Sequence, residues 1–305
     1  MDAQAKLVLE RIAALAPTPA AEQSDALWLA DFRNGVANLR YFNAAPEPVF
    51  SVSSVIVGGV VVRLYRPKAG PLPMLFHFHG GGAIAGSVDG HDSALRALAN
   101  RTGWLVAAPL YRLAPEHPWP AMLDDGWTAL TGLVPQAEAI GFDPARIVIS
   151  GDSIGGALTA ALTLHVRDRG GPPLAGQVLI YPNTDLRRNA PHPSRKVNDG
   201  IIIGMVGMER QIDLYLASPD DRANPLASPL LAKSLTGLPP ALLITCEADP
   251  LLDEGEAYGA RLAQAGIPVR LERFDGMIHA FLQMGGYIDA TERLLILIRD
   301  WLAGI

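Results

Sequence analysis

The chain has 305 residues, with 25 Lys and Arg against 31 Asp and Glu and a formal net charge of −6. The length suits one large α/β domain or two average ones, and an acidic balance without any Lys/Arg cluster argues against a nucleic-acid partner. Hydrophobic residues make up 49% and charged residues 18%, against about 25% charged in an average domain, so a large core can form and global disorder is excluded.

The opening 45 residues look helical. Leu7, Leu9, Ile12 and Leu15, then Leu27, Leu29, Phe32, Val36 and Leu39, recur at spacings of two to four, with Pro17 and Pro19 separating two helices. Charge and apolar residues alternate here, so neither a signal peptide nor a membrane span is expected, and a cytoplasmic location is. From Ser51 the pattern changes. Two β-branched runs, 51–57 and 60–65, flank Gly58-Gly59 and predict a hairpin. Further strands are predicted over 74–78, 105–108, 147–150, 178–181, 242–245 and 269–274. The helices between them fall near 92–101, 121–134, 154–169, 255–265 and 291–302. Near-continuous apolar strands alternating with helices mean a mostly parallel sheet covered on both faces, made mixed by its opening hairpin.

Between Pro182 and Leu242 no strand signal appears. The stretch 185–198 is basic and proline-containing, and 199–218 is helix-compatible, with Met205, Met208, Leu214 and Leu216 reading as a local core of which one or two would line a pocket. An insertion at the carboxyl side of such a sheet is where ligand-covering lids occur. Residues 1–45 and 185–217 are therefore expected to pack together as a helical cap. The lone Cys246 excludes an intrachain disulfide and any multi-thiolate metal site, and its apolar run reads as a buried, inert thiol.

The strongest chemical signal is Gly151-Asp152-Ser153-Ile154-Gly155-Gly156, directly after a predicted strand and directly before a predicted helix. A nucleophile on so sharp a turn needs neighbours without a Cβ two residues either side, and the following helix aims its free N–H groups at a developing oxyanion. Asp152 beside it reads as a local hydrogen-bond acceptor. His79-Gly80-Gly81-Gly82, at the end of another strand, exposes backbone N–H groups as an oxyanion hole requires; no Lys-Ser/Thr follows, which disfavours a phosphate loop. His77 and His79 lack a third ligand at metal spacing, so no metal is expected. Within 111–118, Glu116 and His117 lie between Pro115 and Pro118 and read as a rigid turn rather than as acid and base.

A serine nucleophile needs a base, and the base an orienting acid. Of the histidines downstream of Ser153, His165 lies on the helix leaving the turn and His192 in the insertion. His279 follows the last strand at its carboxyl end. For the acid, Asp249 follows the strand 242–245, with Glu247 as a rival; Asp253 and Glu254 sit where a helix begins, which capping explains.

On these residues the chain resembles the hormone-sensitive-lipase-like family of α/β-hydrolase carboxylesterases, over roughly 60–302. The resemblance rests on His79–Gly82, on Tyr111-Arg-Leu-Ala-Pro-Glu-His-Pro118, on the Gly151–Gly156 turn, on Asp249-Pro-Leu-Leu-Asp-Glu254 and on the His279 loop. It implies an α/β-hydrolase fold with Ser153 as nucleophile, His279 as base, Asp249 as acid, and an oxyanion hole from the N–H groups of Gly81, Gly82 and Ile154. It also implies a cap over a catalytic unit, dividing the chain into cap segments 1–45 and 185–217 and catalytic segments 46–184 and 218–305. Two positions depart from the family: Ile154 replaces the usual alanine, and Ala83 replaces the usual aromatic residue. The activity implied is hydrolysis of short- to medium-chain acyl esters through an acyl-enzyme, with a small-molecule ester as partner and no cofactor. A lactonase, deacetylase or arylformamidase on the same residues is the alternative, and a non-catalytic small-molecule receptor a more distant one. The open sheet edge after the last strand makes a homodimer an expectation to test.

Overall fold

Gly58 and Gly59 take φ of 55° and 87°, the left-handed conformation a two-residue turn demands. They join β1 (Ser51–Val57) to β2 (Val60–Arg66) in an antiparallel hairpin. β3 (Leu72–Phe78), β4 (Leu105–Pro109), β5 (Phe142–Asp152), β6 (Gly176–Ile180), β7 (Ala241–Ala248) and β8 (Val269–Ile278) complete one eight-stranded sheet. Its order is β1-β2-β4-β3-β5-β6-β7-β8; β2 runs antiparallel to both its neighbours and every other pairing is parallel. The computed structural model describes residues 1–15 and 23–305.

The helices α1 (Ala3–Leu15), α2 (Asp25–Asn38), α3 (Asp92–Thr102), α4 (Ala121–Leu133), α5 (Ala137–Ile140), α6 (Ile154–Arg169), α7 (Ser194–Val197), α8 (Met205–Tyr215), α9 (Leu252–Gln264) and α10 (Ala290–Leu302) surround it. Pro17 and Pro19, expected to separate the first two, lie outside the described residues. Strand residues alternate between two cores, as a pleat covered on both sides requires. Met74, Phe76, Ile147 and Ile149 face α4 and α6, while Leu75, Val148, Leu242 and Ile244 face α3 and α10. Beneath β6 and β7, Leu179 and Leu243 meet α6 and α9. α6 is buried along nearly its whole length, the condition in which a helix apolar on all sides is stable.

β5 and β8 run longer than the sequence predicts. Their extra residues include Asp143, Pro144, Asp275 and Gly276, turn-formers that break the apolar run without ending the strand. Within 199–218 only Met205–Tyr215 is helical, because Gly204 stands extended before it and Leu216 leaves helical geometry after it.

Among the described residues, 1–45 and 185–217 hold no strand beyond the single bridge between Ile201 and Ile203. α2 meets α8 directly: the Arg210 guanidinium lies 4.8 Å from the Trp28 ring centroid and bonds Asp25 at 2.8 Å. α2 is pinned below by Arg33, which pairs with Glu116 at 2.6 Å and donates to the Ile84 carbonyl at 2.7 Å. α1 takes another place. It buries Ala5 and Val8 in the core that includes Met277, Ile288 and α10, with Gln4 bonded to Asp289.

Candidate active site

β3 and β5 are parallel neighbours whose ends lie level, His77 opposite Ser150 and Phe78 opposite Gly151. The loops leaving them, 79–82 and 152–155, are thereby brought side by side at the carboxyl edge of the sheet. Ser153 sits between β5 and α6 at φ 58° and ψ −121°, a conformation that costs a non-glycine residue about 1–3 kcal/mol. The turn closes only because its flanks are bare: a β-carbon on Gly151 would collide with the Gly155 carbonyl, and one on Gly155 with the Phe78 carbonyl.

Three side chains converge there. Ser153 Oγ lies 2.8 Å from His279 Nε2, and His279 Nδ1 lies 2.7 Å from Asp249 Oδ2. With the Asp249 carboxylate accepting from Nδ1–H, the Nε2 lone pair is left to accept the Ser153 hydroxyl proton. Asp249 is wholly buried, and its second oxygen accepts the Leu251 N–H at 2.9 Å. The Tyr181 ring packs against His279 with centroids 4.7 Å apart. The rival carboxylates are engaged elsewhere. Glu247 is exposed and accepts the Gly276 N–H at 2.6 Å, and Asp253 accepts the Ser194 N–H at 2.7 Å. Glu254 pairs with the buried Arg195 and accepts from Asn183 and Thr184. His165 stands edge-on to Trp127, and His192 bonds Asp185 at 3.0 Å.

Gly81, Gly82 and Ile154 line the same cavity as Ser153 and His279. Ile154 opens α6, where backbone N–H groups lack helical partners, and no acceptor for the Gly81 or Gly82 N–H exists among the described residues. Gly81 and Gly82 hold φ of 127° and 65°. The loop is braced from behind. The Gly80 N–H donates to Asp152 at 3.0 Å, and the Tyr111 hydroxyl donates to the His79 carbonyl at 2.7 Å while its ring stacks on His79. Burial drives the His79 imidazole down to about 3, so it stays neutral, and burial lowers His77 as well. Burial works to raise the Asp152 carboxyl, yet the adjacent His91 and His77 outweigh it and hold it well below the usual carboxylate range. Among the described residues no group of three His, Cys, Asp or Glu could hold a metal ion.

The cavity at this carboxyl edge holds about 290 Å³. Its walls are mostly apolar, with Trp28, Phe32 and Val36 from α2, Met208 from α8, and Ile202 and Ile203 between α7 and α8. Ile154 is accommodated as part of that wall, while Ala83, at φ 66°, is buried behind the loop. Sequence reasoning missed His91 and Gln283, whose side chains bond each other at 2.6 Å and reach Asp152 through His91. It also missed Gln211 on α8, which lies against Gly82. No local pattern joins residues so distant along the chain.

Residues 75–283 match the family described as the alpha/beta hydrolase fold. An ethyl acetate hydrolase of Pseudomonas putida is 38% identical over 244 residues, covering 78% of this chain and 76% of its own length. A carboxylesterase of Mycobacterium tuberculosis is 35% identical over 267 residues, covering 84% and 83%. Among solved structures, a hyperthermophilic esterase from the archaeon Pyrobaculum calidifontis superposes with a TM-score of 0.89 at 34% identity, over 98% of this chain and 96% of that one.

Proposed function

Because this chain belongs to the alpha/beta hydrolase fold family and is a carboxylic ester hydrolase, we propose that Ser153, His279 and Asp249 form its catalytic triad. The observation that carries the reading is the unbroken relay from Ser153 Oγ through His279 to the buried Asp249, at 2.8 and 2.7 Å. Ser153 attacks the ester carbonyl as its proton passes to His279 Nε2, and Asp249 stabilises the imidazolium. The Gly81, Gly82 and Ile154 N–H groups receive the tetrahedral oxyanion in a site already arranged for it. His279 then protonates the leaving alcohol. Water, activated by the same imidazole, releases the acid from the acyl-enzyme.

In this reading α2 and residues 185–217 act as a cap over the catalytic segments 46–184 and 218–305, α1 bracing β8 and α10 instead, and a cavity of about 290 Å³ restricts the acyl chain to short and medium lengths. The reading keeps the cytoplasm as the place of action, since the buried Cys246 thiol asks nothing of an oxidising compartment. It keeps a homodimer through the open edge of β8, which sedimentation would test.

The deciding experiment is hydrolysis of p-nitrophenyl esters from acetate to palmitate by the wild type and Ser153→Ala. Turnover should peak on short or medium chains and fall by about 10⁶-fold in the variant, as removal of a triad nucleophile does. Comparable turnover in both proteins would refute Ser153 as the nucleophile.

A further inference from the structure

In a cavity with mostly apolar walls, the polar side chains that line it are nearly all committed. Ser153 and His279 bond each other, Asp152 holds the Gly80 N–H, Asn183 donates to Glu254, and Gln283 is joined to His91. Gln211 is different. It projects from α8 into the cavity, partly buried, and neither end of its carboxamide has a hydrogen-bond partner among the described residues. Its position is tight: a β-carbon on Gly82 would collide with the amide oxygen and come within 3.0 Å of the amide carbon. The amide therefore rests on the glycine whose N–H faces the reacting carbonyl oxygen.

A primary amide in such surroundings carries two donors and an acceptor that the protein leaves unused. Few, well-placed polar groups in an apolar pocket are what fixes a ligand's orientation. We propose that Gln211 is a substrate-binding residue, and that the enzyme selects esters bearing a hydroxyl or carbonyl group within a few bonds of the scissile carbonyl. This rests on the assignment of the Ser153 cavity as catalytic. With the ester oxygen seated on the Gly81 and Gly82 N–H groups, the atoms beside the scissile carbon are the ones the Gln211 amide can reach. Because the amide can present either end, a hydroxyl or a second carbonyl serves equally. An alkyl group of the same size would occupy the place and leave the amide unpaired, the situation in which polar sites discriminate best.

The test uses two matched pairs in which a hydroxyl is exchanged for a methyl group. Ethyl 3-hydroxybutanoate against ethyl 3-methylbutanoate places the change on the acyl side; 2-hydroxyethyl butanoate against propyl butanoate places it on the alcohol side. The wild type should favour the hydroxyl member of at least one pair in kcat/KM. In Gln211→Met, which keeps the side-chain length and helix propensity but no amide, that ratio should fall by about tenfold, the worth of one hydrogen bond to an uncharged group. The pair that responds tells which side of the ester the amide meets. A wild type that prefers the methyl member in both pairs, or a ratio unchanged in Gln211→Met, overturns the proposal. Loss of all four activities in Ser153→Ala keeps the triad reading standing in either case, whereas turnover that persists there removes the premise instead.

Discussion

Glu247 and Asp249 are two residues apart at the end of β7, and in a regular strand they would share a face. The sequence accordingly leaves both as partners for His279. β7 ends at Ala248, so Asp249 lies beyond the strand and escapes its alternation: Glu247, still in β7, is exposed and accepts the Gly276 N–H, while Asp249 is buried against His279. The two carboxylates should then respond very differently to loss of charge. Asp249→Asn removes the acceptor that fixes the imidazole tautomer and should lower kcat on p-nitrophenyl butyrate by about 10⁴-fold. Glu247→Gln keeps an acceptor for Gly276 at an exposed position and should change kcat by no more than about threefold, in line with the small energies of exposed polar contacts. A severe Glu247→Gln with a mild Asp249→Asn would move the acid to Glu247.

At the scale of elements, apolar runs revealed the strands that are buried on both faces, 74–78, 147–150 and 242–245 among them, because nothing but a covered sheet accommodates such runs. Strand ends were less legible, since Asp143-Pro144 and Asp275-Gly276 read as turns: both fall in irregularities where the register shifts, with pairing resuming at Ile147 and at Ile278. In the candidate site, Ser153 and His279 could be singled out from motif and chain order. The buried layer of His91, Asp152 and Gln283 could not, as its contacts span up to 192 positions. Helix capping was likewise the wrong reason for Glu254. It is fully buried at the start of α9, and the guanidinium of Arg195 on α7, also buried, bonds it at 3.0 and 2.5 Å. That pair fastens the insertion to α9. Arg195→Met should strand the carboxylate and cost about 3–5 kcal/mol, while Arg195→Met with Glu254→Gln should recover part of the loss because no unpaired charge remains. Urea denaturation of the three proteins measures both. A single variant within 1 kcal/mol of the wild type, on the scale of an exposed ion pair, would show that the pair does not hold the insertion.

At the scale of the whole molecule, the buried His77, His79 and Asp152 at the carboxyl edge of the sheet shape how stability depends on pH. Burial keeps His77 and His79 neutral, His79 down to about 3 against 6.5 for a free imidazole. In that window the unfolded chain binds a proton that the folded chain refuses, so stability is intact above about pH 6.5 and falls as the pH drops toward 3. Asp152 adds to the same trend lower down. Held below the usual carboxylate range against the effect of its own burial, it stabilises the fold above about pH 4, near the unfolded carboxylate's pKa, and that share is lost on further acidification. The His79 imidazole should contribute a slope of about 1.4 kcal/mol per pH unit between pH 6 and 4.5, and His77 acts in the same direction. His79→Gln keeps a polar side chain in the loop but cannot take up the proton on unfolding. Its unfolding free energy should therefore decline less steeply than that of the wild type by one such slope, with His77 still titrating in both proteins. Urea unfolding at three pH values across that interval compares the slopes directly. Parallel lines would mean that the His79 imidazole takes up its proton in the folded protein, so that the loop preceding Gly81 accommodates a positive charge beside His91.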